Sequence, residues 1–173
     1  CGISNVTFNA SVLPSDSVST LQWTSSNGYS GNGNNFSTSF TQPGNYSVIL
    51  IATTIHGCAD TAHHTININA VPEIIQPGNQ ELCSNTMSAP VVFASSVNGT
   101  SVNWINNNIS IGLPASGTGN IPSFTAINNT GLPVTASISA VPTANGCTGN
   151  PQTFDIIVNR SEEHTSELQS LTT

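Results

Sequence analysis

The sequence predicts an all-β protein of two tandem β-sandwich domains, and three observations support this fold class. Apolar side chains recur at every second position, turn residues separate the runs that carry them, and one order of residues occurs twice. Short strands bounded by turns every roughly 8 to 12 residues are typical of a sandwich or barrel. No stretch of residues 1–159 has the 3.6-residue period of an amphipathic helix.

The alternation is clearest in three segments. In residues 66–70 isoleucine and alanine alternate with asparagine, and in residues 135–140 alanine and isoleucine alternate with threonine and serine. In residues 46–52 the apolar residues at 46, 48, 50 and 52 face one way, and Ile49 and Ile51 give the strand a second apolar face. Turn residues fall between these segments: Asn-Gly pairs at 27–28, 98–99 and 145–146, then Pro43-Gly44 and Gly131.

The repeat follows one order of residues: a cysteine, a short apolar run, a tryptophan, a Gly-Cys pair and a final alternating strand. The first copy has Cys1, residues 6–8, Trp23, Gly57-Cys58 and residues 65–70, and the second has Cys83, residues 91–93, Trp104, Gly146-Cys147 and residues 153–158. Cysteine and tryptophan are 22 residues apart in the first copy and 21 in the second. We therefore expect domains at 1–71 and 72–159, divided at Val71-Pro72, because proline does not continue a central strand.

Charge is scarce, and this excludes several classes of protein. The 173 residues include one Lys or Arg and eight Asp or Glu, for a net charge of −7, but 24 Ser, 21 Thr and 22 Asn. A negative chain is repelled by phosphates, so we expect no nucleic-acid partner. No apolar run approaches the roughly 18 residues of a membrane span, so we expect no membrane insertion. The chain begins at Cys1 without Met, which we interpret as an internal fragment or a mature product.

Four widely spaced cysteines in such a chain favour disulfides and an oxidising compartment. The repeat places both leading cysteines before the first core strand and both Gly-Cys pairs after the penultimate strand. From this we predict the pairs Cys1–Cys58 and Cys83–Cys147. A lipid-bearing Cys1, as in a lipoprotein, is the alternative, but it leaves Cys58 unpaired.

The first copy resembles a PKD domain, an immunoglobulin-like sandwich of the polycystic-kidney-disease type. The matching residues are Gly44-Asn45-Tyr46-Ser47-Val48, Leu50, Ala52-Thr53-Thr54, Gly57-Cys58 and Asp60-Thr61. The family's Trp-Asp-Phe-Gly-Asp-Gly signature is here Trp23-Thr24-Ser25-Ser26-Asn27-Gly28, which keeps the tryptophan and the last glycine and lacks both acids.

The second copy is similar to the PKD-like repeats of large adhesins secreted by gliding Gram-negative bacteria. The matching residues are Val102-Asn103-Trp104, Ile111-Gly112-Leu113, Gly117-Thr118-Gly119, Phe124-Thr125-Ala126, Val141-Pro142 and Gly146-Cys147-Thr148-Gly149. The two resemblances cover residues 1–159. They imply tandem immunoglobulin-like sandwiches that act as spacers or binding modules in long extracellular proteins.

The last residues differ from the rest. Residues 160–170 contain the only basic residue and three of the eight acids, and they resemble the translation of a common short-read sequencing adapter. A native charged helix or linker is the alternative. We therefore treat 160–173 as a non-native tail, disordered or a stray helix, and exclude it from functional reasoning.

No arrangement of residues predicts an enzyme. The carboxylates before the tail form no close pair of the kind that glycosidases use; they are Asp16, Asp60, Glu73, Glu81 and Asp155. We expect no catalytic, cofactor or metal site, with calcium held weakly by Asn side chains and carbonyls as the alternative. His56, Asp60, His63 and His64 share one hairpin and could hold a transition metal, but consecutive strand residues face opposite ways, so we expect exposed polar residues.

Two further kinds of residue have candidate roles. Trp23 and Trp104, with Tyr46, are expected in the cores, and stacking of the tryptophans on a sugar is the alternative. Asp16-Ser17-Val18 and Asp60-Thr61-Ala62 resemble the O-glycosylation acceptor pattern of the same bacterial group, which makes Ser17 and Thr61 candidate glycosylation sites.

Together these features lead to one main functional hypothesis. We expect a non-catalytic, extracellular or cell-surface module of a bacterial adhesin, acting in adhesion or as a spacer. Its expected partners are glycans, other surface proteins and neighbouring repeats. Accessory domains of a secreted protease or glycosidase, and a stalk without a ligand, are the alternatives.

Overall fold

Strands form almost all regular structure in the computed structural model, which describes residues 1–11 and 18–160. Within that part of the chain the one helical element is a 3₁₀ turn at Ile109–Ile111. The chain divides into two compact units, domain 1 at Cys1–Ala70 and domain 2 from Val71 onward. The division falls beside the Val71-Pro72 boundary expected from the sequence. The predicted all-β fold class is confirmed.

Domain 1 packs a two-stranded sheet against a four-stranded one. Its strands are β1 (Ser4–Asn9), β2 (Val18–Ser25), β3 (Ser30–Asn32), β4 (Asn35–Phe40), β5 (Gly44–Thr54) and β6 (Ala59–Ile68). The sheets have the orders β1-β4 and β3-β2-β5-β6, with antiparallel pairing throughout. The buried core between them consists of Trp23, Phe36, Phe40, Val48 and Ile68.

Domain 2 has one large sheet and a less regular opposing layer. Its strands are β7 (Gln80–Cys83), β8 (Ser101–Asn106), β9 (Ser116–Thr118), β10 (Val134–Ala144), β11 (Cys147–Thr148) and β12 (Gln152–Asn159). The sheet order is β7-β12-β10-β8-β9, with β11 paired to β10. Strand β7 runs parallel to β12, and the other pairs are antiparallel.

The opposing layer of domain 2 departs from the sequence expectation. Residues 91–93 were expected to form the first core strand, but among the described residues this layer pairs through the isolated bridges Val91↔Ile121, Met87↔Thr125 and Ile74↔Ser95. Pro90 precedes Val91 and Pro122 follows Ile121. Pro90 and Pro122 would be the next pair of the ladder beyond the Val91–Ile121 bridge. Because proline has no N–H to donate, the ladder cannot extend on that side of this bridge.

The Asn145-Gly146 pair forms the turn that its sequence predicts. Both residues have positive φ, 50° and 76°, and the flanking Ala144 and Cys147 pair with each other. A two-residue hairpin loop with positive φ at both positions is a type I′ turn, for which Asn-Gly is the preferred dipeptide.

Candidate binding groove and cysteine sites

A groove in domain 1 lies between β1 and the core-facing side of the β2-β5-β6 sheet. It has a volume of about 380 Å³, and Phe8, Leu50, Ala62 and His64 contribute to its lining. The ring of Phe8 lies 6.0 Å from that of His64 at an interplanar angle of 67° and 6.1 Å from that of Trp23. We call this feature the aromatic groove.

Strand lengths explain why the groove is open. Strands β1 and β4 have six residues each, whereas β5 has 11 and β6 has 10. The short sheet covers the end of β6 that contains Ile68, which is buried. Toward the other end, the described residues leave Ala59–Thr65 exposed. Side chains that would face a core in a fully covered sheet therefore face solvent.

The histidines around this hairpin do not form a metal centre. His63 pairs with Ile49 and His64 with Val48, so their side chains point to opposite faces of the sheet. Within the described residues, no three His, Cys, Asp or Glu side chains are grouped closely enough to hold one ion. The contribution of His64 is an exposed imidazole beside the ring of Phe8.

Both tryptophans lie in the domain cores, with exposed fractions of 6% for Trp23 and 5% for Trp104. The indole Nε1 of Trp23 donates a hydrogen bond to the carbonyl oxygen of Gly33 at 2.8 Å. Tyr46 packs half-buried against Phe40, with 4.6 Å between ring centroids, and its hydroxyl donates to the Gln42 carbonyl oxygen at 2.9 Å. Neither indole presents an open face on which a sugar could stack.

Each tryptophan is paired across strands with a glycine that sequence reasoning missed. Trp23 pairs with Gly31, and Trp104 with Gly117. A Cβ at Gly117 would lie 2.2 Å from Trp104 Cζ2, and one at Gly31 would lie 2.8 Å from Phe36 Cδ2. The sequence contained a signal for this pairing, because in both copies a glycine follows the tryptophan within about 13 residues.

The cysteines of domain 1 lie at opposite ends of its large sheet. The backbone N–H of Gly2 donates to the Asn69 carbonyl oxygen at 2.9 Å, which places Cys1 beside the end of β6. Cys58 immediately precedes the start of the same strand. Ten strand residues span about 30 Å, whereas a disulfide requires a Cα separation of about 4.4 to 6.8 Å. The predicted Cys1–Cys58 pair is therefore wrong, and Cys58 has an exposed free thiol.

Domain 2 separates its cysteines in the same way. Cys83 pairs with Asn159 at the end of β12. The neighbouring residue Val158 pairs with Val134, so Cys83 lies beside the start of β10. Cys147 is opposite Ala144, the last residue of β10. The 11 residues of β10 again separate the two positions by about 30 Å. The predicted Cys83–Cys147 pair is therefore wrong as well.

The sequence repeat identified equivalent cysteines correctly but paired them incorrectly. Ser84, which follows Cys83, donates its N–H to the Asn159 carbonyl oxygen at 2.8 Å, as Gly2 does to Asn69. Cys58 and Cys147 both follow a glycine of positive φ, 81° at Gly57 and 76° at Gly146. We call Cys1 and Cys83 the leading cysteines, and Cys58 and Cys147 the hairpin cysteines.

Of the two candidate glycosylation sites, Thr61 lies on β6 with an exposed side chain. Its backbone N–H is held by Asp60, whose Oδ1 accepts it at 2.8 Å. Ser17 lies outside the described residues, as does the tail after Arg160. Glycosylation at both positions stays a prediction.

Comparison with known families agrees with the architecture of domain 1. A family model described as PKD domain matches residues 1–70. Domain 1 is similar to the PKD domain family over its whole length. It keeps the buried tryptophan on β2 and has Thr24 and Asn27 where the family signature has its acids.

Two solved structures that are similar to the chain are described by their modules. One describes the fibronectin(III)-like modules of CbhA from Clostridium thermocellum, with 12% identity, a TM-score of 0.40, and coverage of 92% of this chain and 87% of that one. Another is the N-terminal Ig1-2 module of the Drosophila receptor protein tyrosine phosphatase DLAR, with 17% identity, a TM-score of 0.37 and 91% coverage of each chain. Comparison with curated proteins gives no match.

PKD and related immunoglobulin-like domains are typically extracellular and non-catalytic, and the fold of this chain is consistent with such a module. In the described part of the chain, no helix has the length and apolar character needed to cross a membrane.

Proposed function

We propose that this chain is a non-catalytic extracellular module of a bacterial cell-surface or secreted protein, acting in adhesion or as a spacer. The observation that carries the proposal is the PKD-like fold of domain 1 combined with strand faces that present hydroxyl and amide groups in place of charges. PKD domains are typically extracellular, and uncharged hydrogen-bonding groups suit contacts with glycans and with other surface proteins.

Cross-strand hydrogen bonds illustrate this polar surface in both domains. In domain 1, Asn67 Nδ2 donates to Asn45 Oδ1 at 2.5 Å. In domain 2, Thr118 Oγ1 donates to Asn103 Oδ1 at 3.1 Å. Neutral pairs of this kind are not screened by salt, unlike exposed ion pairs. A surface that binds through such groups would keep its affinity in the varied ionic strength outside a cell.

The aromatic groove is the place in domain 1 that best suits a glycan. It combines the ring of Phe8, the imidazole of His64 and the amide of Asn9 in an open concave site. Binding sites for small molecules are typically concave, largely apolar and equipped with a few polar groups that set orientation. A sugar could stack its C–H face on the exposed imidazole of His64 and form a hydrogen bond with the side-chain amide of Asn9.

Binding of the purified chain to immobilised glycans and to intact bacterial cells tests the adhesive role. His64→Ala should weaken glycan binding three- to tenfold, because a single aromatic contact contributes about 0.5 to 1.5 kcal/mol. His56→Ala is the matched control, since His56 is equally exposed on the same hairpin but lies outside the groove. Equal loss in both variants would contradict the groove as the binding site.

Location is tested separately. Antibodies raised against the purified chain should label intact, non-permeabilised source cells or the culture medium, and labelling confined to lysed cells would overturn the extracellular assignment. The alternative is an accessory region of a secreted hydrolase. Binding to insoluble polysaccharide without binding to cells would favour that alternative.

A further inference from the structure

Strand β6 has one edge that is not covered by any described strand of domain 1. It pairs with β5 and lies at the end of the four-stranded sheet. Just before β6 begins, the Thr54 N–H donates to the Cys58 carbonyl oxygen at 2.8 Å. Backbone groups of a strand point alternately to its two sides. The even-numbered residues of β6 therefore bond to β5, and the odd-numbered ones face the open edge.

Two hydrogen bonds define the extent of this open edge. The Thr61 N–H, which the alternation directs away from β5, donates instead to the neighbouring Asp60 Oδ1 at 2.8 Å. At the far end of β6, the Gly2 N–H donates to the Asn69 carbonyl oxygen at 2.9 Å. Between these points the seven consecutive residues Ala59–Thr65 are exposed. We call these seven residues the open edge of β6.

The open edge lacks the features that usually prevent edge strands from pairing with other molecules. Natural edge strands are commonly protected by lysine, by proline or by a β-bulge. Residues 59–65 contain no Lys, Arg or Pro, and their pairing with β5 continues without a shift in register. The outward N–H and C=O groups of these residues can therefore pair with a strand of another molecule.

The open edge is complementary to itself when two copies run antiparallel. Its middle residue is Ala62, and an antiparallel pair centred there places Asp60 of each copy opposite His64 of the other. Directly opposite side chains of antiparallel strands have Cβ atoms about 4.5 to 5.5 Å apart. At that separation an imidazole N–H can donate a hydrogen bond to the carboxylate, and the contact occurs on both sides of Ala62.

Other symmetric registers of the open edge do not provide this match. A pair centred on Asp60 or on His64 places two identical titratable groups opposite each other. A pair centred one residue to either side of Ala62 leaves Asp60 opposite an apolar residue. The register centred on Ala62 is also the only one that matches every residue of the open edge with another exposed residue of the same stretch.

We propose that the open edge of β6 pairs antiparallel with that of a second copy, centred on Ala62, and that this pairing forms a two-fold symmetric dimer through domain 1. The two four-stranded sheets then form one continuous sheet, with the aromatic grooves of both copies on the same face. The interface is smaller than those of stable dimers, so its dissociation constant should be about 0.1 mM.

Sedimentation velocity of the full chain over a range of concentrations tests the dimer. Every protein in the series carries Cys58→Ser, so that the exposed thiol cannot cross-link two copies. The chain should be monomeric at about 1 µM and largely dimeric at about 1 mM. A chain that stays monomeric throughout would overturn the proposal. No glycan is present, so the outcome is separate from that of the proposed function.

A proline on the open edge tests whether backbone pairing forms the dimer. The His63 N–H faces the open edge, so His63→Pro removes a donor that the second copy needs and that β5 does not. The symmetric dimer loses two hydrogen bonds, and its dissociation constant should rise at least tenfold. The matched control His63→Ala keeps the N–H and should dimerise like wild type, with the same circular dichroism in both variants. Equal dimerisation of the two would overturn the proposal.

An exchange of the two opposite groups tests the register. His64→Asp places two carboxylates opposite each other and should raise the dissociation constant about tenfold, because like charges directly opposite are destabilising. Adding Asp60→His to that variant exchanges the carboxylate and the imidazole and should restore the wild-type dissociation constant. A double variant as weak as His64→Asp alone would overturn the register centred on Ala62.

Hydrogen exchange identifies the strand in contact. The amides of Thr61, His63 and Thr65 face the open edge and should exchange more slowly at about 1 mM than at about 1 µM. Amides of β12 serve as the internal reference and should exchange at the same rate at both concentrations. A sample that dimerises without protecting the three β6 amides would overturn the proposal, because its interface would lie elsewhere.

Discussion

The final strands of the two domains have different neighbours although they end the same repeat. In domain 2, β12 lies between β10 and β7, and from Phe154 onward its residues alternate between buried and half-buried. In domain 1, β6 pairs with β5 and is an edge strand of its sheet as far as the structure describes the chain. Seven consecutive β6 residues, Ala59–Thr65, are exposed.

This difference shows that a repeated sequence pattern does not guarantee an equally covered core. The core of domain 2 extends along its large sheet and includes Trp104, Ile138, Phe154 and Ile156. The core of domain 1 is concentrated where the short β1-β4 sheet covers the larger sheet. Apolar burial is the main stabilising contribution in small domains, so we expect domain 2 to be the more stable of the two.

Removing one phenylalanine ring from each domain should cause the largest loss of stability. It should also show most clearly that the two domains differ in how well their cores are covered. Phe154 has an exposed fraction of 2%, and Phe154→Ala should lower the free energy of unfolding of domain 2 by about 3 to 5 kcal/mol. Phe8 is half-buried at the rim of the groove, so Phe8→Ala should cost domain 1 about 1 to 2 kcal/mol. Urea unfolding followed by hydrogen exchange assigns each loss to a domain, and equal losses would contradict the contrast.

Replacing the glycine that pairs with each tryptophan should also destabilise domain 2 more than domain 1. Gly117→Ala places a methyl group against the buried Trp104 indole and should destabilise domain 2 by about 2 to 3 kcal/mol. Gly31→Ala meets the Phe36 ring at a longer distance beside the less covered core, so about 1 kcal/mol is expected in domain 1. Thermal denaturation of both variants measures the difference. A larger loss for Gly31→Ala would show that domain 1 is the more tightly packed.

Hydrogen exchange should detect the difference between the last strands without any substitution. Amides of β12 are flanked by strands on both sides, whereas those of β6 face β5 on one side. Amides of Ala59–Thr65 should therefore exchange at least tenfold faster than those of β12, because local opening there exposes fewer packed contacts. Similar rates would indicate that β6 has a partner along its open edge.

The hairpin turns give the smallest expected effect. Asn145 has φ of 50°, so Asn145→Ala should cost about 1 kcal/mol in domain 2, whereas Asn145→Gly should be nearly neutral. Ile55→Ala in the longer loop of domain 1 removes a side chain that is 66% exposed and should leave stability unchanged. Calorimetry of the three variants checks the order. A loss for Ile55→Ala as large as that for Asn145→Ala would contradict it.

Alternation and turn residues predicted four of the longer strands. Strands β5, β6, β10 and β12 follow from their period of two, and the Asn145-Gly146 turn follows from its dipeptide. Strand β7 was not predicted, since Gln80–Cys83 is short and polar and its pairing depends on β12, some 70 residues away in sequence. Local patterns do not contain that information.

The cysteine positions also show that a sequence pattern does not reveal which distant residues lie close together. The repeat established which cysteines are equivalent, because equivalence follows from position along the chain. It could not establish which cysteines lie close together, because the long strands β5 and β10 carry the chain from one end of each domain to the other. The aromatic groove was also missed, since it depends on how far β1 and β4 extend over the larger sheet.

The parallel pairing of β7 with β12 has a mechanical consequence. These strands lie near the two ends of domain 2 along the chain, and they run side by side in the same direction. Tension applied through the chain would pull β7 toward its start and β12 toward its end, so their hydrogen bonds would be loaded together in shear. Domain 2 should therefore resist stretching until several of these hydrogen bonds break at once, whereas the β6 edge of domain 1 has no such clamp within the described residues.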